Sequence, residues 1–231
     1  MTQIKICGIT NREDALIALH AGTDALGFIF YPASPRFVKP ERVREITGGL
    51  PGRICRVGVF VDEAPEEVRR IVRFCGLDLI QLHGKESPAY CALFSPAVLI
   101  KAVSLRTAQD LAVLGDYPVK AILVDAGDSE RPGGTGRTCD WSLAKRAGER
   151  HGIILAGGLH PGNILSALET VCPGAVDVGS GVEERPGKKD PKKVKNLVAE
   201  VKGFRNPHRL AHSSPIFQRE GKIIPNCGGD S

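Results

Sequence analysis

The chain has 231 residues, 42% hydrophobic and 25% charged, with a net charge of +5; these are the proportions of an ordinary soluble globular protein, long enough for one large core. The basic residues crowd "RPGKKDPKKVK" (Arg185 to Lys195) and the tail, which reads as a solvated face and not as a nucleic-acid stripe. No stretch approaches the roughly 18 apolar residues of a membrane span, and no signal-peptide pattern opens the chain, so a cytoplasmic protein binding neither nucleic acid nor membrane is expected. Seven cysteines (7, 55, 75, 91, 139, 172 and 227) are odd in number and form no C-x-x-C. Neither a disulfide framework nor a zinc site is indicated, and the pair His208 and His212 falls in a polar tail that gives no support to a metal site.

Short β-branched runs alternate with amphipathic segments in the pattern of successive βα units. In chain order the strands are "QIKIC", "ALGFIFY", "RVGVFV", "LDLIQL", "VLIKAV", "VKAILV", "GIILA" and "AVDVG". The helices between them are predicted over 11–21, 40–49, 65–75, 87–94, 105–114, 140–150 and 161–171, with a last one over 190–201. Asn11, Ser87, Asp140 and Asp190 supply N-caps, while Pro65, Pro161 and Pro191 suit a first helical turn. Eight such units at about 25 residues each predict an α/β fold, a single (β/α)8 TIM barrel over residues 1–203, with an open doubly wound sheet as the alternative. Residues 204–231 have no sustained period and read as a C-terminal extension outside the barrel.

In such barrels the C-terminal strand ends carry the chemistry. Alternation along the first strand sends Lys5 and Cys7 inward together with Gln3. Near pKa 8.5 only about 3% of a thiol is ionised at pH 7, and lowering the pKa by about 1.5 units requires roughly 2 kcal/mol. The Lys5 ammonium is expected to supply that and favour a thiolate at Cys7. Gly8, directly after it, lets the backbone turn away. The same parity sends Asp125 inward at the end of the sixth strand. As a general acid it needs burial or a neighbouring anion to hold a proton. The stretch "GDSERPGGTG" that follows reads as a substrate-covering loop.

After the seventh strand comes "LAGGLHPGN" and after the eighth "VGSGVEERPG". Glycine-rich loops at these two places match the usual barrel phosphate site, with amides of Gly157, Gly158, Ser180 and Gly181 as donors beside Gly179. Arg36, in "YPASPRFV" after the second strand, offers a planar fork suited to a carboxylate. "QLHG" places Gln81 and His83 on one side of the fourth strand, where the histidine serves either chemistry or a structural hydrogen bond.

Taken together, "KICGIT", "ALGFIFYPASPR", "VGVFV", "QLHG", "VDA", "GGTG", "LAGGL" and "DVGSGVE", in this order over roughly residues 2 to 202, make the chain resemble the phosphoribosylanthranilate isomerases of tryptophan biosynthesis. The resemblance implies an Amadori rearrangement of N-(5-phosphoribosyl)anthranilate to the 1-deoxyribulose phosphate. It implies Cys7 as general base and Asp125 as general acid, and Arg36 on the anthranilate carboxylate. Gln81 and His83 would then touch substrate, the two glycine loops would hold the phosphate, and Asp177 in "AVDVG" would lie near the sugar hydroxyls. No metal or organic cofactor is implied, and the partner is a small phosphorylated substrate, taken by a monomer or homodimer. The chain departs from the family in having Gly179 where "SSGVE" is usual, and in carrying the tail. Two other readings keep the barrel: another phospho-sugar isomerase or epimerase, or a non-catalytic phosphate-ligand-binding protein.

Overall fold

The computed structural model describes residues 1–51, 54–125, 140–205 and 215–218. Eight parallel strands form a closed barrel in chain order: β1 (Gln3–Cys7), β2 (Ala25–Ile29), β3 (Cys55–Phe60), β4 (Leu79–Leu82), β5 (Leu99–Val103), β6 (Ala121–Val124), β7 (Ile153–Leu155) and β8 (Ala175–Val178). The ring closes where β8 pairs with β1, placing Asp177 beside Lys5. An open sheet would leave two strand edges unpaired, and here none of the eight strands has one.

Laterally paired residues of parallel strands face the same side, so the ladders fix which side chains point inward. Lys5 lies beside Ala25 and Cys7 beside Gly27, Val59 beside Gln81, Gln81 beside Ile100, Ala102 beside Leu123 and Leu123 beside Ile154. Asp125, two residues past Leu123, continues the inward parity. The outward positions of β1 and β6, among them Ile4, Ile6, Ile122 and Val124, are buried under the helix ring.

That ring consists of α1 (Arg12–Ala21), α2 (Pro40–Thr47), α3 (Pro65–Cys75), α4 (Pro88–Cys91), α5 (Trp141–Gly148), α6 (Ile164–Val171) and α7 (Pro191–Gly203). The expected caps form at Asn11, Ser87, Asp140 and Asp190, each accepting from an amide in the first turn. Asn11 is reciprocal: it accepts from the Asp14 amide at 2.9 Å and donates to the Asp14 carboxylate at 2.8 Å. Pro65 and Pro191 occupy first turns, as expected.

Four local expectations are corrected. The helix over 105–114 is replaced by two 3-10 turns, Ala108–Leu111 and Leu114–Asp116, because a Thr107–Asp110 capping box closes a short turn and Gly115 and Pro118 follow. The helix expected from Pro161 starts at Ile164. Asn163 there bonds instead to the loop, donating to the Gly158 carbonyl at 2.9 Å and accepting from the His160 amide at 2.8 Å. The helix predicted over 87–94 contracts to the four residues of α4. The basic stretch after Arg185 is not wholly solvated: a hairpin of β9 (Glu183–Arg185) and β10 (Lys188–Lys189) buries Lys189 completely. Lys188 in turn lies 2.7 Å from the Glu13 carboxylate and 3.2 Å from that of Asp14.

The predicted covering loop, "GDSERPGGTG", lies outside the described residues, as do His208, His212 and all of the tail beyond Arg205 except 215–218. Within that short piece Ile216 and Phe217 are buried and join the core. Phe217 exchanges two hydrogen bonds with the side chain of Gln3: its amide donates to Gln3 Oε1 at 2.9 Å and its carbonyl accepts from Gln3 Nε2 at 3.2 Å.

Candidate active site

The C-terminal strand ends open into a cavity of about 540 Å3, a size typical of small-molecule sites. It is lined by Cys7 from β1, Arg36 from the loop after β2, Gln81 on β4 and His83 after it, Asp125 after β6, Gly157 and Gly158 after β7, and Asp177 on β8 with Gly179, Ser180 and Gly181 beyond it. The candidate catalytic, substrate-binding and phosphate-binding residues therefore all face one space.

Cys7 ends β1 against the bare backbone of Gly27. A methyl group at position 27 would come within 2.7 Å of Cys7 Sγ and 2.8 Å of Lys5 Cε, so the absence of a side chain on β2 is what leaves room for the thiol. Gly8 turns with φ of +77°, and a Cβ there would meet the Arg36 Cδ at 2.6 Å; the crowding it avoids is that of the arginine stem. The expected thiolate is corrected. Burial pushes the Cys7 thiol above its ordinary value; Lys5 and Lys189 pull it down, and Asp177 adds to the rise. Lys5 is already committed, donating to Asp177 Oδ2 and to Gln81 Oε1 at 2.8 Å each. Burial is the largest single influence on the Lys5 ammonium and works against it, but Asp177 and Cys7 together lift the lysine above its usual range.

From Lys5 a chain of polar contacts crosses the barrel. Gln81 Nε2 lies 2.8 Å from His83 Nδ1, and His83 Nε2 lies 3.2 Å from Asp125 Oδ2. Asp125 itself is buried at 8% exposure.

Arg36 spends one edge of its guanidinium on Glu183, with Nε donating to Oε1 at 2.8 Å and an Nη donating to Oε2 at 2.7 Å. Burial works against the Glu183 charge, yet the Arg36 hydrogen bonds and the nearby Lys189 hold its carboxyl below the usual range. Lys189 satisfies all three ammonium donors: the Cys7 carbonyl at 2.6 Å, the Gly179 carbonyl at 3.0 Å and Glu183 Oε1 at 3.0 Å.

At the far end of the cavity Gly157 and Gly158 take φ of +81° and +62°, and a side chain on Gly181 would collide with the Leu159 carbonyl. The loops after β7 and β8 thus pack backbone to backbone. Among the described residues no backbone carbonyl accepts from the amides of Gly157, Gly158, Ser180 or Gly181, leaving four donors at the rim for an anion.

Sequence reasoning passed over Lys189, Glu183 and Gly27. Glu183 stood in "DVGSGVE" as an acid beside a glycine loop, which was a usable signal. Gly27, opposite Cys7 on the neighbouring strand, was the other. Lys189 gave none, since it sits in a run of lysines.

Fold and cavity define a (β/α)8-barrel enzyme, its machinery set at the C-terminal strand ends. A family model described as "PRAI: N-(5'phosphoribosyl)anthranilate (PRA) isomerase" matches residues 4–200, and the chain belongs to that family. The N-(5'-phosphoribosyl)anthranilate isomerase of Syntrophus aciditrophicus (strain SB) is 52% identical over 204 residues, 88% of this chain and 89% of that protein. The phosphoribosyl anthranilate isomerase structure from Thermotoga maritima superposes with a TM-score of 0.82 at 43% identity, covering 88% of this chain and all of that one. A phosphoribosyl anthranilate isomerase in complex with reduced 1-(o-carboxyphenylamino)-1-deoxyribulose 5-phosphate gives a TM-score of 0.79 at 41% identity, with coverage of 88% and 100%.

Proposed function

We propose that the chain catalyses the Amadori rearrangement of N-(5-phosphoribosyl)anthranilate to 1-(2-carboxyphenylamino)-1-deoxyribulose 5-phosphate in tryptophan biosynthesis, with Asp125 as general acid and Cys7 as general base. Asp125 gives its proton to the furanose ring oxygen as the C1′–O bond breaks and the anilino nitrogen lone pair forms a Schiff base. Cys7 then removes the C2′ proton, and those electrons shift to give an enolamine. Moving the C2′ hydroxyl proton to C1′ completes the ketone product. The glycine loops hold the phosphate through the four rim amides, and the remaining donors of Arg36 hold the anthranilate carboxylate. Asp177, Gln81 and His83 face the ribose between them.

The observation carrying this reading is the convergence on one cavity of a β1 thiol, a carboxyl after β6 and a paired-loop anion rim. Loss of phosphoribosylanthranilate fluorescence with purified protein tests it. Turnover by the wild type, with kcat about 100- to 10,000-fold lower in Cys7→Ser and in Asp125→Asn, is the expected result. Undiminished turnover in both variants refutes the assignment, and turnover of another phospho-sugar alone would select a different reaction. The same reading takes the chain as a cytoplasmic monomer or homodimer; among the described residues no helix is long and apolar enough to cross a membrane.

A further inference from the structure

The geometry points to Lys5 and Gln81 as positioning residues that fix the tautomer of His83 and, through it, the oxygen on which Asp125 carries its proton. This rests on the reading of Asp125 as the acid. The deduction needs only the donor and acceptor inventory. A lysine ammonium has donors and no acceptor, so the Gln81 atom facing Lys5 Nζ at 2.8 Å is the amide oxygen. The NH2 group of Gln81 is thereby turned to His83 and donates to Nδ1 at 2.8 Å. An Nδ1 that accepts carries no proton; in the neutral ring the proton is on Nε2, which faces Asp125 Oδ2 at 3.2 Å. With Oδ2 facing that N–H, a protonated Asp125 keeps its own hydrogen on Oδ1, free of the histidine. Asp177, also on Lys5 at 2.8 Å, prevents the lysine from turning away.

Long-range 1H–15N correlation spectra of the labelled wild-type protein at neutral pH read the His83 tautomer directly. A single Nε2–H tautomer is expected, and an Nδ1–H tautomer overturns the proposal whatever the protein's activity. Gln81→Glu supplies an acceptor to Lys5 and to His83 alike, so the proton should move to Nδ1 and bare Nε2 should compete for the Asp125 proton. The expected signature is a kcat about 10- to 100-fold lower with KM changed less than about threefold. A shifted tautomer with unchanged kcat would overturn the catalytic consequence. Activity lost in Asp125→Asn but retained in Gln81→Glu would leave the acid assignment standing and remove only the relay.

A separate observation carries a second proposal. We infer that Pro215–Gln218 is a docking segment by which the chain closes its own barrel floor. Gln3 is the inward residue at the N-terminal end of β1, and its side chain makes with Phe217 the two bonds of a strand ladder. Ile216 packs beside Gly174, where an added Cβ would meet its Cδ1 at 3.2 Å. The helix before the tail, α7, runs antiparallel to the strands and ends on this same face. Phe217→Ala in the full chain should lower Tm by about 6–20 °C and raise hydrogen exchange at β1 and Gly174, with kcat/KM unchanged. Unaltered Tm and exchange overturn the proposal, as does a dimeric wild-type mass that Phe217→Ala reduces to a monomer, which would assign the segment to a second copy.

Discussion

The ammonium of Lys189 lies 2.6 Å from the carbonyl oxygen of Cys7, and its other two donors reach Gly179 and Glu183. One buried cation thus ties together the strand end bearing the thiol, the loop after β8 and the carboxylate that holds Arg36. Lys189→Met leaves two carbonyls without a donor and Glu183 without one of its two cations. A stability loss of about 3 kcal/mol is expected from urea unfolding. Because three substrate-facing segments lose a common anchor, kcat should fall and KM rise together.

Burial raises the Cys7 thiol above its ordinary value, so the base form grows with pH. Alkylation of Cys7, which needs the thiolate and not the Asp125 proton, should climb about tenfold per pH unit through neutrality and level off only above the usual thiol range. A plateau already at pH 7 would contradict this. The folded chain holds these thiol protons more tightly than the unfolded one, Cys75 included, whose value is pushed up to about 11. Their contribution to stability is intact below about pH 9, and is lost as pH rises through the folded values.

Gly27→Ala is expected to separate turnover from folding. The added carbon sits 2.7 Å from Cys7 Sγ, and a thiol displaced by about 1 Å costs up to about 100-fold in kcat. Steady-state kinetics beside a thermal melt would test this; the stability cost of overpacking is about 1–3 kcal/mol.

Gly179→Ser tests the departure from the usual "SSGVE". Position 179 has φ of −113°, and a Cβ there meets only the Cys7 carbonyl, at an ordinary 3.8 Å. A serine therefore fits without strain, and its hydroxyl adds a donor beside the anion rim. A lower KM at unchanged kcat is expected. An unaltered KM would mean that the backbone amides alone set phosphate affinity.

The barrel was legible because β-branched runs and parity act locally: the alternation that buries Ile4 and Ile6 also turns Cys7 inward, and Asp125 follows from Val124 in the same way. What escaped depended on particular side-chain contacts, some of them distant in the chain. Leu105, Leu111 and Leu114 mimic a helical stripe, yet the Thr107–Asp110 capping box closes the turn first. Lys189 looks like any lysine of "GKKDPKK" until two carbonyls and Glu183 enclose it. Lys5 was correctly placed beside Cys7, but the expected thiolate failed, because Asp177 and Gln81 hold the ammonium and burial outweighs its pull. Ile216 and Phe217 carry no periodic signal in their polar surroundings; the Gln3 side chain and the packing beside Gly174 give them a place.

The contact between Gly181 and the Leu159 carbonyl has a kinetic meaning. Two segments packed at their main chains brace each other, so the cradle for the charged end of the sugar is built by the fold itself. Recognition at that end is then a matter of lock fitting, with little chain entropy surrendered on arrival. Discrimination among sugars lacking that charge should accordingly appear as faster escape from the site, not as slower entry.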